Sequence, residues 1–420
     1  MLHKLSKEQR RHMTGWLLSA LAALVLTSQP VRSLSALPDS IRLTRGYSTS
    51  IALPSLLEAD LSGEAAVLSN LDETLRSSPG VALSGESPGN ASLTLRLMGL
   101  FPFKTIPVSV EEEKILVPGG SPVGVAIRTQ GVLIVGSSDL GGSIKSPARA
   151  AGLTGGDLIQ AVNGVPVTGT HHLSSLIGSG ERVILTVLRG EDTLTVPLTP
   201  VLDPRDNTYR LGAWVRDSTA GVGTLSFYDP ESGRYGALGH AVTDIDTGLV
   251  LDVQSGEIIQ SRISRIHRGE SGAPGELVGQ FGGSSKALGT IDVNGPCGVY
   301  GDAYEDMSCP LYPQGVPIMS GDEVRPGSAQ ILTTLDDAGV RAYDCEILRV
   351  SRQRGQTQRN LVLRITDEEL LERTGGIVQG MSGSPILQDG RLVGAVTHVF
   401  INDPTTGYGI FIENMLDAAG

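Results

Sequence analysis

Residues 375–400, GGIVQGMSGSPILQDGRLVGAVTHVF, constrain the fold more than any other stretch of this chain. Gly380 and Gly383 bracket Ser382 with residues that accept φ > 0 and close backbone approach. The apolar runs Pro385–Leu387 and Leu392–Val396 flank Asp389-Gly390, which predicts a β-hairpin with a serine presented on the turn before it. A serine hydroxyl is a poor nucleophile until a base takes its proton and backbone N–H groups face the developing oxyanion. A tight glycine turn supplies the second requirement. The same six residues, Gly380 to Pro385, also suit an ordinary Gly/Ser hairpin loop.

Fifty-four glycines, 23 prolines and 4% aromatic residues favour many short strands and turns over long helices, so the chain reads as mainly β. Its 420 residues suffice for two or three cores. Lys4, Lys7, Arg10 and Arg11 precede the apolar run Thr14–Ser28, an export signature. As a helix that run covers only about 22 Å of a hydrocarbon core roughly 30 Å thick, which suits a signal peptide or marginal anchor over residues 1–33. No small-x-small cleavage site follows, and Arg32 stands where one is wanted. Without Met1–Ser33 the chain has 28 basic and 44 acidic side chains, a formal charge of −16, which disfavours nucleic acid and anionic lipid surfaces as partners. Cys297, Cys309 and Cys345 allow one disulfide, Cys297 with Cys309, or three free thiols, and their spacing fits no metal site. No motif calls for a cofactor.

Residues 34–113 form a β-rich region in which Ser92–Leu97 alternates, Gly99–Pro102 turns and Ile106–Val110 returns; Ser35–Gly63 lacks periodicity and reads as a tether open to proteolysis. Residues 114–202 change character. SPARAAGLTGGDLIQAVNGVPV, residues 146–167, resembles bacterial PDZ domains, and the resemblance implies a groove that takes an extended peptide or C-terminus by strand addition. Gly119, Gly120, Val123, Gly124 and Val125 are its candidate carboxylate loop, or else an interdomain turn. Residues 203–420 carry strand-like pieces at Gly223–Tyr228, Gly248–Val253, Gln330–Thr334, Tyr343–Val350 and Leu361–Ile365, consistent with a barrel or sandwich.

His240, within GALGHAVTDIDTG, is flanked by small residues and free to point into a cleft, which suits a general base. His267 lies beside Arg265 and Arg268, which disfavour an imidazolium. His398 reads as structural or cleft-lining, on a strand leading away from the serine turn. Asp367, Asp292 and Asp244 are the candidates to orient the base, and spacing does not choose among them. His240, Asp244 and Asp246 also suggest a metal site, but a calcium loop starting at Asp244 needs a glutamate where Ser255 stands.

G-x-S-G-x-P resembles the nucleophile turn of trypsin-like and HtrA-type serine proteases, which implies Ser382 as nucleophile and the Gly380 and Ser382 N–H groups as oxyanion hole. The whole order resembles the stage IV sporulation protein B (SpoIVB) peptidases: export segment, β region, PDZ module, GHAVTDIDTG, SRISRIHRGESGAPGEL and GIVQGMSGSP. That resemblance implies a PDZ domain followed by a trypsin-like, β-barrel-type serine peptidase domain, with His240 as base, Ser382 as nucleophile and Asp367 as acidic member. It further implies an exported, self-cleaving enzyme in the space between forespore and mother cell. Its partner there is a membrane-bound regulator of an intramembrane protease, and cutting it leads to late sigma-factor activation. The rival is a catalytically silent PDZ scaffold that binds peptide C-termini. Digestive proteases carry before their nucleophile an Asp that pairs with a freed N-terminus, and Met381 cannot do so. Chains beginning at Ala36 and several residues earlier are therefore expected to show equal turnover of a peptide substrate; a large difference in rate would contradict this.

Overall fold

The computed structural model describes residues 37–53, 57–63, 68–70, 80–141, 144–281, 285–352 and 357–420, and the export segment expected over residues 1–33 lies outside them. The chain forms two compact units, Met1–Lys114 with Ser320–Glu323 and Ile115–Met319 with Val324–Gly420.

In the first unit, β1 (Ile41–Thr44), β2 (Leu57–Gly63), β3 (Gly89–Leu97) and β4 (Phe101–Glu111) form a sheet in the order β1-β4-β3-β2. β1 runs parallel to β4, and the other pairs are antiparallel. Alternation puts Leu93, Leu95, Ile106 and Val108 on one buried face. Ser48–Ala52, Leu68–Asn70 and Gly80–Gly85 make a second, three-stranded sheet. The tether expected over Ser35–Gly63 thus supplies strands to both sheets, because Ile41 and Leu43 find a buried face that no local periodicity announces.

The second unit is organised around β5 (Pro122–Ser137) and, much later in the chain, β9 (Ala213–Tyr228). They pair antiparallel from Thr224 opposite Pro122 to Ala213 opposite Ser137. Between them in sequence lie β6 (Leu158–Val162), the helices α1 (Pro147–Ala150) and α2 (Thr170–Ile177), β7 (Val183–Arg189) and β8 (Asp192–Leu198). The strand order β8-β7-β6-β5-β9 joins this PDZ-like module to β10 (Arg234–Ala237) in one continuous sheet, while β11 (Val253–Gln260) pairs with the first half of β5. Apart from Lys114 and Ser320–Glu323, residues 114–202 and 203–420 therefore lie within one compact unit, and strands of both ranges share a sheet.

The C-terminal part closes into a six-stranded barrel: β13 (Gly327–Thr334), β14 (Val340–Val350), β15 (Leu361–Ile365), β18 (Asp403–Phe411), β17 (Arg391–Phe400) and β16 (Pro385–Gln388), in that order around the ring. The β16–β17 hairpin turns at Asp389, φ +52°, and Gly390, φ +75°, the pair of left-handed residues that a two-residue turn needs. Ile331, Ile347, Leu363, Ile386 and Val393 fill the barrel, which is closed without a free edge. The three cysteines are unpaired and buried, and burial pushes the Cys345 thiol up to about 12. Leu363 is fully buried, and Leu363→Ala is expected to lower the unfolding free energy by about 2–5 kcal/mol, read from urea melts.

Candidate active site

Ser382 sits on the turn that leads into β16. Gly380 and Gly383 adopt φ +92° and +98°, and a Cβ on Gly383 would lie 2.1 Å from the Thr224 carbonyl oxygen. That spacing makes glycine obligatory at position 383. Four hydrogen bonds pin the carbonyls of the turn. The Gln379 carbonyl accepts from Leu277 N–H on β12 (Glu276–Gln280) at 2.8 Å, and the Met381 carbonyl from Ser384 N–H at 3.0 Å. On β9, Thr224 donates its hydroxyl to the Gly380 carbonyl at 2.8 Å and its N–H to the Ser382 carbonyl at 3.0 Å.

A peptide plane held by its carbonyl sends the following N–H the opposite way. The Gly380 and Ser382 N–H groups have no hydrogen-bond acceptor among the described residues, whereas the intervening Met381 N–H is bonded to the Val378 carbonyl. Gly380 and Ser382 both line a cleft of about 640 Å³. Two unsatisfied donors one residue apart, on a fixed turn beside a serine, form an oxyanion-hole arrangement. Met381 itself is buried in the barrel core, its sulfur accepting from Val378 N–H at 3.4 Å.

His240 follows β10 through Leu238 and Gly239, both at φ +70°. The chain reverses sharply there, and the imidazole enters the Ser382 cleft. Its Nδ1–H donates to the Ala241 carbonyl at 2.8 Å, which leaves Nε2 as the proton acceptor. Burial lowers the His240 pKa, with the Ala241 bond opposing it. The following loop is fixed by Asn294, whose amide accepts from Val242 N–H at 2.7 Å and donates to the carbonyls of Val242 and Leu251. His398, on β17, also lines the cleft; its ring centroid lies 5.3 Å from that of His240, so the strand brings it toward the site and not away. Burial, then the neighbouring His240 and Arg359, lower its pKa to about 4. The Ser382 hydroxyl donates to the Thr397 carbonyl at 2.8 Å.

No carboxylate lines this cleft among the described residues. Asp367, expected to orient the base, instead caps α3 (Glu368–Thr374), accepting from Leu370 N–H at 2.9 Å and from Asp344 N–H at 3.4 Å. An aspartate just before a helix finds unpaired N–H groups at hand, and its oxygens are committed to them. Asp292 pairs with Arg234, and Asp244 and Asp246 both receive the Arg216 guanidinium, which also takes up the two carboxylates of the alternative metal site. The position opposite His240 Nδ1 belongs to a backbone carbonyl, which no side-chain reading could find.

The candidate carboxylate loop is also corrected. Gly119 and Gly120 donate to the carbonyls of Ser226 and Leu225, and Val123, Gly124 and Val125 are paired with β9 on one side and β11 on the other. Strand addition needs an unpaired edge, and this stretch has none. A cleft of about 370 Å³ lies instead between α2 and the first residues of β9, lined by Leu173, Ile177, Leu211, Gly212 and Trp214. There β9 is paired on one side only, by β5.

Residues 207–416 match the family described as SpoIVB peptidase S55, and residues 141–189 match a PDZ domain. No curated protein sequence matches the chain. Among solved structures, the active form of the Rv3671c protease from M. tuberculosis is 14% identical with a TM-score of 0.29, over 48% of this chain and 75% of that one. Its inactive form is 15% identical with a TM-score of 0.27, over 47% and 82%. Likenesses of that size carry no further weight.

If Asp367 is a cap, Asp367→Ala should lose about 1 kcal/mol of stability, and Asp367→Asn, an equally good cap, should keep both fold and turnover. A folded Asn variant that had lost orders of magnitude in kcat would return Asp367 to the catalytic machinery.

Proposed function

The chain belongs to the SpoIVB peptidase S55 family and is a PDZ-containing serine peptidase acting on protein or peptide substrates, and on that footing we propose that Ser382 is its nucleophile and His240 its base. The observation that carries this reading is the pair of unpartnered N–H groups, Gly380 and Ser382, on the turn that shares a cleft with His240.

In the reaction the Ser382 hydroxyl turns from the Thr397 carbonyl toward His240. Nε2 takes its proton as Oγ bonds to the scissile carbonyl carbon, and the carbonyl electron pair moves onto oxygen, facing the two N–H groups. The imidazolium, its Nδ1–H resting on the Ala241 carbonyl, returns the proton to the leaving amine as the C–N bond breaks. Water then attacks the acyl-enzyme by the same route, with His240 again as base, and Ser382 is regenerated.

The substrate reaches the enzyme in part through the α2–β9 groove. Its apolar floor of Leu173, Ile177 and Leu211 takes side chains, and the singly paired edge of β9 takes the main chain of an extended peptide. The motif order and the basic-then-apolar N-terminus further support an exported peptidase of sporulation signalling. In that role it works between forespore and mother cell, cleaves itself near its N-terminus, and cuts a membrane-bound regulator of an intramembrane protease, with late sigma-factor activation as the outcome.

Ser382→Ala is expected to abolish peptide cleavage, a loss of about 10⁴-fold or more, while the folded chain still binds peptide. Cleavage that persists in this variant would leave a scaffold or another nucleophile. Because His240 serves as base only when neutral and its pKa lies below the ordinary 6.5, kcat/KM should rise with pH along an acid limb whose midpoint lies below pH 6.5. An acid limb centred above 6.5 would count against this environment for His240.

A further inference from the structure

The first unit ends in an apolar tip. Leu97, Met98, Leu100, Phe101 and Phe103 follow one another around the β3–β4 turn, and Met98, Leu100, Phe101 and Phe103 are 65, 73, 66 and 49% exposed. The turn is tight, with Met98 and Gly99 at φ +51° and +70°. The ladder skips Phe103, setting Leu95 opposite Lys104 and Arg96 opposite Pro102, so a bulge turns that ring outward beside Phe101. Five large apolar side chains around one turn are costly to leave in water, and such a patch marks a binding surface.

What covers it follows from the course of the chain. β1 is parallel to β4, with Ile41 opposite Val108, so the chain enters β1 from the end of the sheet where the tip lies. Lys104 Nζ donates to the Leu37 carbonyl at 3.2 Å and to Asp39 at 2.7 Å, which places the start of the described chain beside the tip strand. Residues 29–36 alone separate Leu37 from the apolar run Thr14–Ser28, which is too short to cross a bilayer unaided. The described chain therefore begins at the tip end of the first unit, with the apolar run only eight residues before it in sequence.

The tip offers no unpaired positive charge to seek out anionic lipid, because Lys104 is paired with Asp39 and Arg96 with Asp60, and the Glu58 carboxylate lies against Gly99 of the turn. No residue of 97–103 lines either cleft described above, and a fluid interface closes around Leu, Met and Phe side chains of any shape. We propose that the Leu97–Phe103 tip is a membrane-contact site that inserts into the interfacial zone of a lipid bilayer, at the end of the first unit where the described chain begins. The acidic remainder of the chain makes this an apolar insertion and not an electrostatic one. It is independent of the peptidase reading and needs no turnover to test.

The three native thiols are buried, so in the full chain a cysteine introduced as Leu100→Cys, or as Glu112→Cys just past the far end of β4, can be labelled selectively with an environment-sensitive fluorophore. On adding phosphatidylcholine vesicles, the Leu100 probe is expected to shift to the blue and be quenched by nitroxide-bearing lipid, with no change at Glu112. The shift should survive high salt and disappear when Phe101→Ser and Phe103→Ser are added. Four outcomes would overturn the site: no shift while the chain sediments with the vesicles, a shift that persists in the double serine variant, its loss in salt, or a Leu100 probe already shielded without lipid. The last would mean that the tip is covered by this chain or a second copy of it.

Discussion

Two hydrogen bonds from Thr224 hold the Ser382 turn in place. The hydroxyl takes the Gly380 carbonyl and the N–H takes the Ser382 carbonyl, while the Thr224 carbonyl accepts from Leu238 N–H on the segment that leads to His240. One residue of β9 thereby ties the barrel, which carries the serine, to the open sheet, which carries the histidine. Thr224 keeps this position because β9 is zipped to β5 along its length, so the site rests on a pairing between strands that lie far apart in the chain. Isolated turns of this kind would fray; a turn bonded to a central strand stays rigid, as preorganised electrostatics requires.

The same strand binds both clefts into one body. Its first residues form the wall of the α2 groove, Arg216 next along holds Asp244 and Asp246, and Gly221 and Val222 line the Ser382 cleft. The loop after His240 is thus fastened from two directions, by Arg216 through Asp244 and by Asn294 through Val242. The PDZ-like module is not a bead on a linker, since its sheet and the peptidase sheet are continuous.

Features set by a few adjacent residues were legible before the structure. The β16–β17 hairpin, the serine turn and the entry of His240 into a cleft depend on local glycines, and each reads directly from sequence. The long-range features were not. Gly119 and Gly120 look like a ligand loop until β9, a hundred residues later, is seen to occupy their side of the sheet. Asp367 had a local signature as well, an Asp followed by Glu368 and Glu369 at a helix start. Motif order favoured a catalytic role, while the nearest unpaired N–H groups decided where its carboxylate went. The acceptor at His240 Nδ1 is a main-chain atom, and main-chain atoms leave no mark in a sequence.

That neutral acceptor has a consequence for tempo. A carboxylate beside an imidazole supplies a full counter-charge when the ring takes up a proton, whereas the Ala241 carbonyl supplies only a dipole, in a cleft whose burial already disfavours the cation. Every 1.4 kcal/mol, roughly, that the imidazolium lacks slows turnover about tenfold. If His240 is the base, as proposed, the Ala241 carbonyl orients the ring without a counter-charge, and turnover is expected to be slower than with a carboxylate in its place.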